Sequence, residues 1–580
     1  MRLKTVAALV LLGLVALVAG IGQLTWWAPD EQVTATLPAD TQAAPLTVID
    51  TKLRDLRGGE ATLTIHGDGN YVLAAARPDD MAAWVGKAAH TTIDGASPDG
   101  KVLSATHADG EATSPNPAGA DLFATTQNAN GTLEYHWDLP DSGDWQLLLA
   151  SDGTAPAPQD VTITWPSHAT MPWAVPLIVI GAILVLGAAA IAVFGLPRRR
   201  GTGGSGPATG GRRRPASAAG DSGTAPIPHV ERPAGTAELT AAAVRRGPAA
   251  RVAAALAVVL GLAGFGAIPA QADSSPAPSP SASPSASEQA KARVVTEDQL
   301  SRILDQTASA LQAGDDGKDA GKLAPRADGS ALLARTQNYK VRASVSTAPA
   351  IAPVRASKLL TTVVTTQRSW PRTIVAVTQG DGNSTPQLLT LRQATARDNF
   401  KLTEAAPLLP GATIPGTPKT GADQIALDDK SGLAVSAKDA LGGIADRLTS
   451  ADSGWKDKIP DNAYIKDTFG YQSDIAKAAN ANFTFKHSLV GDEAAAFRTA
   501  DGGAIVVAPL DFTVEGTPKS DGDKVTLQDD AAALAGGKEA KTKMTLTFRE
   551  SLMLYIGKDG AAQPVQLIGA TRNLSGASVS

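Results

Sequence analysis

The sequence predicts a membrane protein with three transmembrane helices, an N-terminal extracytoplasmic all-β sandwich and a C-terminal extracytoplasmic α+β region built as two units. Three observations carry this reading. Apolar runs recur at about 5–24, 174–196 and 252–268. Between the first two, short runs of alternating polarity are separated by Gly/Asp/Pro turns. After the third, a capped amphipathic helix followed by strand-like runs occurs twice.

The chain of 580 residues has room for several domains, and at 43% apolar content it can bury cores. It contains no Cys. Disulfides, thiolate metal sites and Cys nucleophiles are therefore excluded, as is a lipid-modified N-terminal Cys. Anchoring falls to the helices.

The first segment, within 1–27, follows Arg2 and Lys4 and ends at Trp26 and Trp27, which suit the membrane interface because the indole is apolar with a polar N–H. No small-x-small cleavage site precedes Ala28-Pro29-Asp30-Glu31, so it reads as an uncleaved anchor with its N-terminus inside. The second, 173–196, is an uncharged run with Trp173 before it and Arg198, Arg199 and Arg200 after it. The third, 250–272, follows Arg245, Arg246 and Arg251, is shorter, and ends in Ala270-Gln271-Ala272. That order of basic, apolar and small-residue parts is the grammar of an export signal. Ala270 and Ala272 would flank a signal peptidase site, although retention as a third anchor is favoured over cleavage after Ala272.

Charge sets the orientation. Residues 197–251 carry ten Arg, no Lys and three acids, whereas 28–172 carry six basic and twenty acidic side chains. The positive-inside rule then puts the former in the cytoplasm and the latter outside. The loop 197–249 is Gly/Pro/Ser/Arg-rich and is expected to be disordered. Topology accounts for its arginines, and nucleic acid is not an expected partner.

In 28–172, "ATLTIHGDGNYVLAAA" reads as two strands around a Gly-Asp-Gly-Asn turn, "GTLEYHWDLPDSGDWQLLLASDG" as strand, turn, strand, and "DVTITWP" as the strand returning to the membrane. His136 and Trp137 should face opposite sides. Trp137, Trp145 and Trp165 are expected in the core. His66, His90, His107 and His136 lack metal-ligand spacing, and "HGDGN" and "SPDGK" are ordinary turn chemistry rather than Ca²⁺ loops.

The tract 273–289, "SSPAPSPSASPSAS" at its heart, is an extended spacer. Units then follow at 290–420 and 421–580. In the first, Thr296 and Gln299 form a capping box, and Leu300, Ile303, Leu304 and Leu311 line one helix face. In the second, Ser436 leads into Leu441, Ile444 and Leu448. The expected strands are "YKVRASV", "KLLTTVVTTQ", "RTIVAVTQ" and "PQLLTLRQATA", then "NFTFKHSLVG", "AIVVAPLDFTVEG", "KMTLTFRESLMLYIG" and "PVQLIGATRNL". This order of elements is similar to that of NTF2-like (cystatin-like cone) domains, here in tandem. The strand-turn-Pro-strand echo between "VAVTQGDGNSTPQLLTLRQATARD" and "LMLYIGKDGAAQPVQLIGATRN" supports the duplication. The whole chain resembles multi-pass cell-envelope proteins of high-GC Gram-positive bacteria, a resemblance that implies no activity.

Enzyme chemistry finds little support. Ser453-Gly454-Trp455-Lys456 is S-x-x-K and Lys419-Thr420-Gly421 is K-T-G, but they come in the reverse of the penicillin-binding order, with no S-D-N between. There is no H-E-x-x-H, G-x-S-x-G or P-loop. His487 is read as structural. No catalytic residue, cofactor or metal is assigned. The expectation is a non-catalytic envelope membrane protein whose two outside modules bind wall polymer, glycan or a partner protein. The alternatives are an accessory subunit of a membrane enzyme or secretion complex, with Gly181, Gly187 and Ala188-Ala189-Ala190 permitting close helix packing, and an unrecognised hydrolase or transferase.

Overall fold

The computed structural model describes residues 2–28, 30–58, 60–137, 144–167, 171–194 and 292–580. The chain divides into two compact units, one of the apolar helices and one joining 32–167 to 281–580.

In the first unit, α1 (Arg2–Leu24) and α4 (Ala174–Phe194) are both long and apolar enough to cross a membrane. They pack antiparallel through glycine. A Cβ on Gly13 would lie 2.9 Å from the Gly181 carbonyl, and one on Gly20 would lie 2.8 Å from that of Ala174. Side chains larger than hydrogen would hold the backbones apart, so these positions set the contact.

The second unit begins with eight strands: β1 (Gln32–Thr36), β2 (Leu46–Ile49), β3 (Thr62–Ala76), β4 (His90–Ala96), β5 (Leu103–Ala108), β6 (Thr125–His136), β7 (Gln146–Ala150) and β8 (Asp160–Pro166). The β character is as expected, but the strands join one hydrogen-bonded sheet rather than two facing ones. β3 carries β6 along one edge, while β8 and β7 pair with its first and second halves. The sheet runs on through β2, β4 and β5, and a bridge between Thr36 and Val102 returns β5 to β1. It thus curls around a core to which every strand contributes, including Leu63, Leu149, Ile163 and Trp165. Trp137, Trp145 and Trp165 are buried as expected, and His136 is exposed beside buried Trp137.

Two local expectations are corrected. Gly67–Asn70 is no turn but a bulge within the continuous β3. The buried Tyr71 explains it: its hydroxyl donates to the Ile65 and Gly131 carbonyls at 3.1 and 2.9 Å, and its ring lies where a Cβ on Gly67 would be. β6 and β7 form no hairpin with each other; each pairs with β3. The Pro-Asp-Ser-Gly turn between them falls outside the described residues. Two short helices, α2 (Lys52–Asp55) and α3 (Pro78–Val85), complete this part.

The C-terminal region has the expected order of helices then antiparallel sheet, twice. The first set is α5 (Glu297–Gly317), α6 (Ala320–Leu323), α7 (Gly329–Ser344) and the meander β9 (Lys358–Val364), β10 (Arg372–Gln379), β11 (Gln387–Gln393), β12 (Lys401–Pro407). The second is α8 (Ala437–Thr449), α9 (Ala463–Ala476) and a six-stranded sheet. That sheet holds β13 (Gln424–Ile425), β14 (Ala481–Leu489), β15 (Ala495–Arg498), β16 (Ala504–Pro518), β19 (Met544–Ile556) and β20 (Val565–Val579). The pair β17 (Val525–Thr526) and β18 (Glu539–Ala540) and the helix α10 (Asp529–Ala535) lie between its strands in sequence.

The Thr296/Gln299 capping box forms as read, and Leu300, Ile303, Leu304 and Leu311 are fully buried, each worth about 1.5–3 kcal/mol. The same holds for Leu441, Ile444 and Leu448 behind the Ser436 cap. "YKVRASV" is helical, not a strand: Asp328 caps α7, which runs through it and buries Tyr339 and Val341. The two sheets lie face to face. Val363, Val375, Val377 and Leu388 of the first pack on Phe497, Ile505, Val507, Met553 and Ile568 of the second. Each sheet is therefore buried on both faces, with helices on the outer one.

Candidate functional site

Trp26 and Trp27 stand at the end of α1 and Trp173 at the start of α4, with 78%, 57% and 67% of their surface exposed. Trp27 folds back over Gly22. Arg198, Arg199, Arg200, Arg245, Arg246, Arg251, Ala270 and Ala272 lie outside the described residues. Gly181 is already committed to α1, whereas a Cβ on Gly187 would meet nothing within 4 Å.

The S-x-x-K serine is a turn residue. Ser453 Oγ hydrogen-bonds Asp446 and accepts from the Trp455 N–H, and the residue is buried. Ser97 and Asp99 bond each other within "SPDGK", as turn chemistry requires. Among the described residues no group of three or more His, Asp or Glu is arranged to hold a metal ion.

Three constellations escaped the sequence reading. The first joins 32–167 to the C-terminal region. Asp121, fully buried, takes both Nη atoms of the Arg326 guanidinium and the Phe400 N–H, and its own N–H donates to Asn399 Oδ1 at 2.9 Å. The capping-box residue Gln299 has a second task here, since its Nε2 donates to the Asp121 and Leu122 carbonyls at 3.1 and 3.0 Å. Arg302 continues the clamp on the Phe123 and Ala124 carbonyls.

Nearby, α3 is held at both ends. Arg372 donates to Asp80 in its first turn at 2.6 Å, with both groups buried. Arg397 donates to the Trp84 and Val85 carbonyls at 2.8 and 2.9 Å, where a cation also answers the helix dipole. Arg77 donates to the Arg293 carbonyl, and burial, with Arg368 nearby, brings its pKa down to about 10. Apolar contact completes the joint, as Ala396 and Trp370 pack with Trp84, Phe123 and Val48.

The second is a cleft of about 460 Å³ between the two C-terminal units, where α7, the loops 349–352 and 382–385, and β20 meet. Ser330, Asn338, Gln387, Ser551 and Asn573 are among its walls. Behind Ser330 and Ser551 lies Glu404 on β12, whose Oε2 hydrogen-bonds Ser551 Oγ. Burial pushes the Glu404 carboxyl up to about 8, against the two serine hydroxyls, which favour its charged form. It is therefore largely neutral near pH 7.

The third is inside the second unit. Tyr464 donates to Glu550 Oε1 at 2.6 Å, and the other oxygen of Glu550 lies 3.6 Å from His487 Nε2. His487 is stacked on Phe512 with ring centres 4.2 Å apart, and its backbone N–H donates to Thr449 Oγ1. Burial, with Glu550 adding to it, raises the Tyr464 phenol well above its usual range. His487, read from the sequence as structural, is buried, with a carboxylate partner the sequence did not reveal.

Residues 291–578 match the model of a domain of unknown function, DUF8094. No curated protein and no solved structure matches the chain.

Proposed function

We propose that this chain is a non-catalytic cell-envelope membrane protein of the bacterial, high-GC Gram-positive kind, which crosses the membrane three times. Residues 32–167 and 290–580 then form one extracytoplasmic body that binds wall polymer, glycan or a partner protein. The observation that carries the reading is the buried joint at Asp121–Arg326 and Asp80–Arg372. If α1 and α4 both cross, everything between them lies on one side. The C-terminal region docks on that part, so it shares the side. The chain must then cross an odd number of times after α4, and 250–272 supplies the apolar segment. The Arg-rich 197–251 favours the cytoplasm for the intervening loop. Helices followed by a sheet, twice over, support kinship of the C-terminal units with NTF2-like domains.

The Cys-free sequence makes the test direct. Single cysteines at Asp68, Ser217 and Ser520 are offered a membrane-impermeant maleimide in intact cells. Positions 68 and 520 should label at once, and position 217 only after permeabilisation. Labelling of 520 only after permeabilisation would refute the three-crossing form. An accessory role in a membrane complex predicts crosslinks from the α4 surface around Gly187, which α1 leaves open.

A further inference from the structure

We infer that the cleft between the two C-terminal units binds an uncharged, polyhydroxylated ligand, a short segment of glycan. The inference rests on the binding-module reading above and names its ligand class.

The size comes first. About 460 Å³ falls within the range of small-molecule sites, about 300–1,000 Å³. Charge comes next. The charged lining residue is Arg335, and it is ion-paired: its Nε lies 3.3 Å from Asp315 Oδ1, and Nη2 donates to the Ala352 carbonyl. The carboxyl behind Ser330 and Ser551, Glu404, is held neutral by burial. An anion entering the cleft would meet no uncommitted cation among the lining residues, and a cation no carboxylate there.

The lining offers hydroxyls and carboxamides instead, including those of Ser384, Thr385, Thr571 and Asn573, which are not buried. Such groups both donate and accept, which is what a sugar hydroxyl also does. One of them lacks a partner. Asn338 Nδ2 donates to the Pro349 carbonyl at 2.9 Å, which fixes the orientation of the amide and leaves Oδ1 buried with no partner. A buried acceptor without a donor is unfavourable, and a hydroxyl donor brought to this wall of the cleft would satisfy it.

The test uses the full chain in a detergent without a sugar headgroup. Maltotriose, cellotriose and mannotriose are offered by turn, and trigalacturonic acid and the fully deacetylated chitosan trimer serve as charged counterparts. Saturation transfer from protein to sugar is measured by NMR. We expect transfer to at least one neutral trisaccharide and none to the charged pair. Ser384→Trp, at the exposed rim and away from any core, should weaken binding at least tenfold, as should Asn338→Leu. No transfer to any neutral trisaccharide, stronger binding of a charged one, or affinity unchanged by Ser384→Trp would overturn the inference. The cysteine labelling does not involve the cleft, so failure here with the topology intact removes the ligand class alone.

Discussion

Replacing Asp121 by Ala should loosen the joint between 32–167 and the C-terminal region by a measurable and local amount. The carboxylate is fully buried and accepts from both Nη atoms of Arg326 and from the Phe400 N–H. Its loss leaves a guanidinium that is 7% exposed, with Gln306 and the Phe400 carbonyl as its remaining partners. Removing one member of a buried pair costs about 3–5 kcal/mol, because the other charge stays behind unneutralised. At about 1.4 kcal/mol per decade this is a hundred- to a few-thousand-fold rise in local opening. Hydrogen exchange of peptides spanning 119–126 reads that opening directly, since the Asp121 N–H is tied across the joint to Asn399. Asp121→Ala with Arg326→Ala should be less damaging than the sum of the two single changes. Exchange within threefold of the parent, or full additivity in the double variant, would show that the ion pair does not hold the joint.

Three further outcomes follow from the same geometry. Gly181→Val should destabilise the α1–α4 pair, because a Cβ there would sit 2.7 Å from the Gly13 carbonyl, while Gly187→Val should be neutral; size-exclusion profiles of heated micelles compare them. Because Glu404 has its folded pKa raised to about 8 from 4.5, the unfolded chain loses that proton first, and stability should fall as pH rises from about 4.5 to 8 and level off above. Glu404→Gln should flatten that slope in denaturant titrations across the window, and an unchanged slope would contradict the assignment. Tyr464→Phe strips Glu550 Oε1 of its donor and should cost about 1–3 kcal/mol in the same titration, with a loss below 0.5 kcal/mol arguing that water replaces the phenol.

What the sequence disclosed and what it withheld divide by distance along the chain. The Thr296/Gln299 box, the apolar faces of α5 and α8 and the opposed His136 and Trp137 are written within a few residues, and each formed as read. Local reading failed where a remote contact outvoted it. Tyr71 turned Gly67–Asn70 from a turn into a bulge, and burial of Tyr339 and Val341 made a β-prone stretch the end of a helix. The strand β12 was missed between two recognised elements. The candidate site was hardly legible at all. Asp121 and Arg326 are 205 residues apart, Asp80 and Arg372 are 292 apart, and Glu404 and Ser551 are 147 apart. No spacing rule links such pairs; only the packing of the two sheets and the docking of α3 bring them together.

The joint also bears on proteolysis. The bonds at Asp121, Asp80 and the two ends of α3 are noncovalent and need no peptide link between the parts that make them. A cut after Ala272 would therefore leave 292–580 seated on 32–167 and convert one polypeptide into a two-chain complex. If α1 and α4 cross a membrane, processing at that point would change the number of chains there without shedding anything from it.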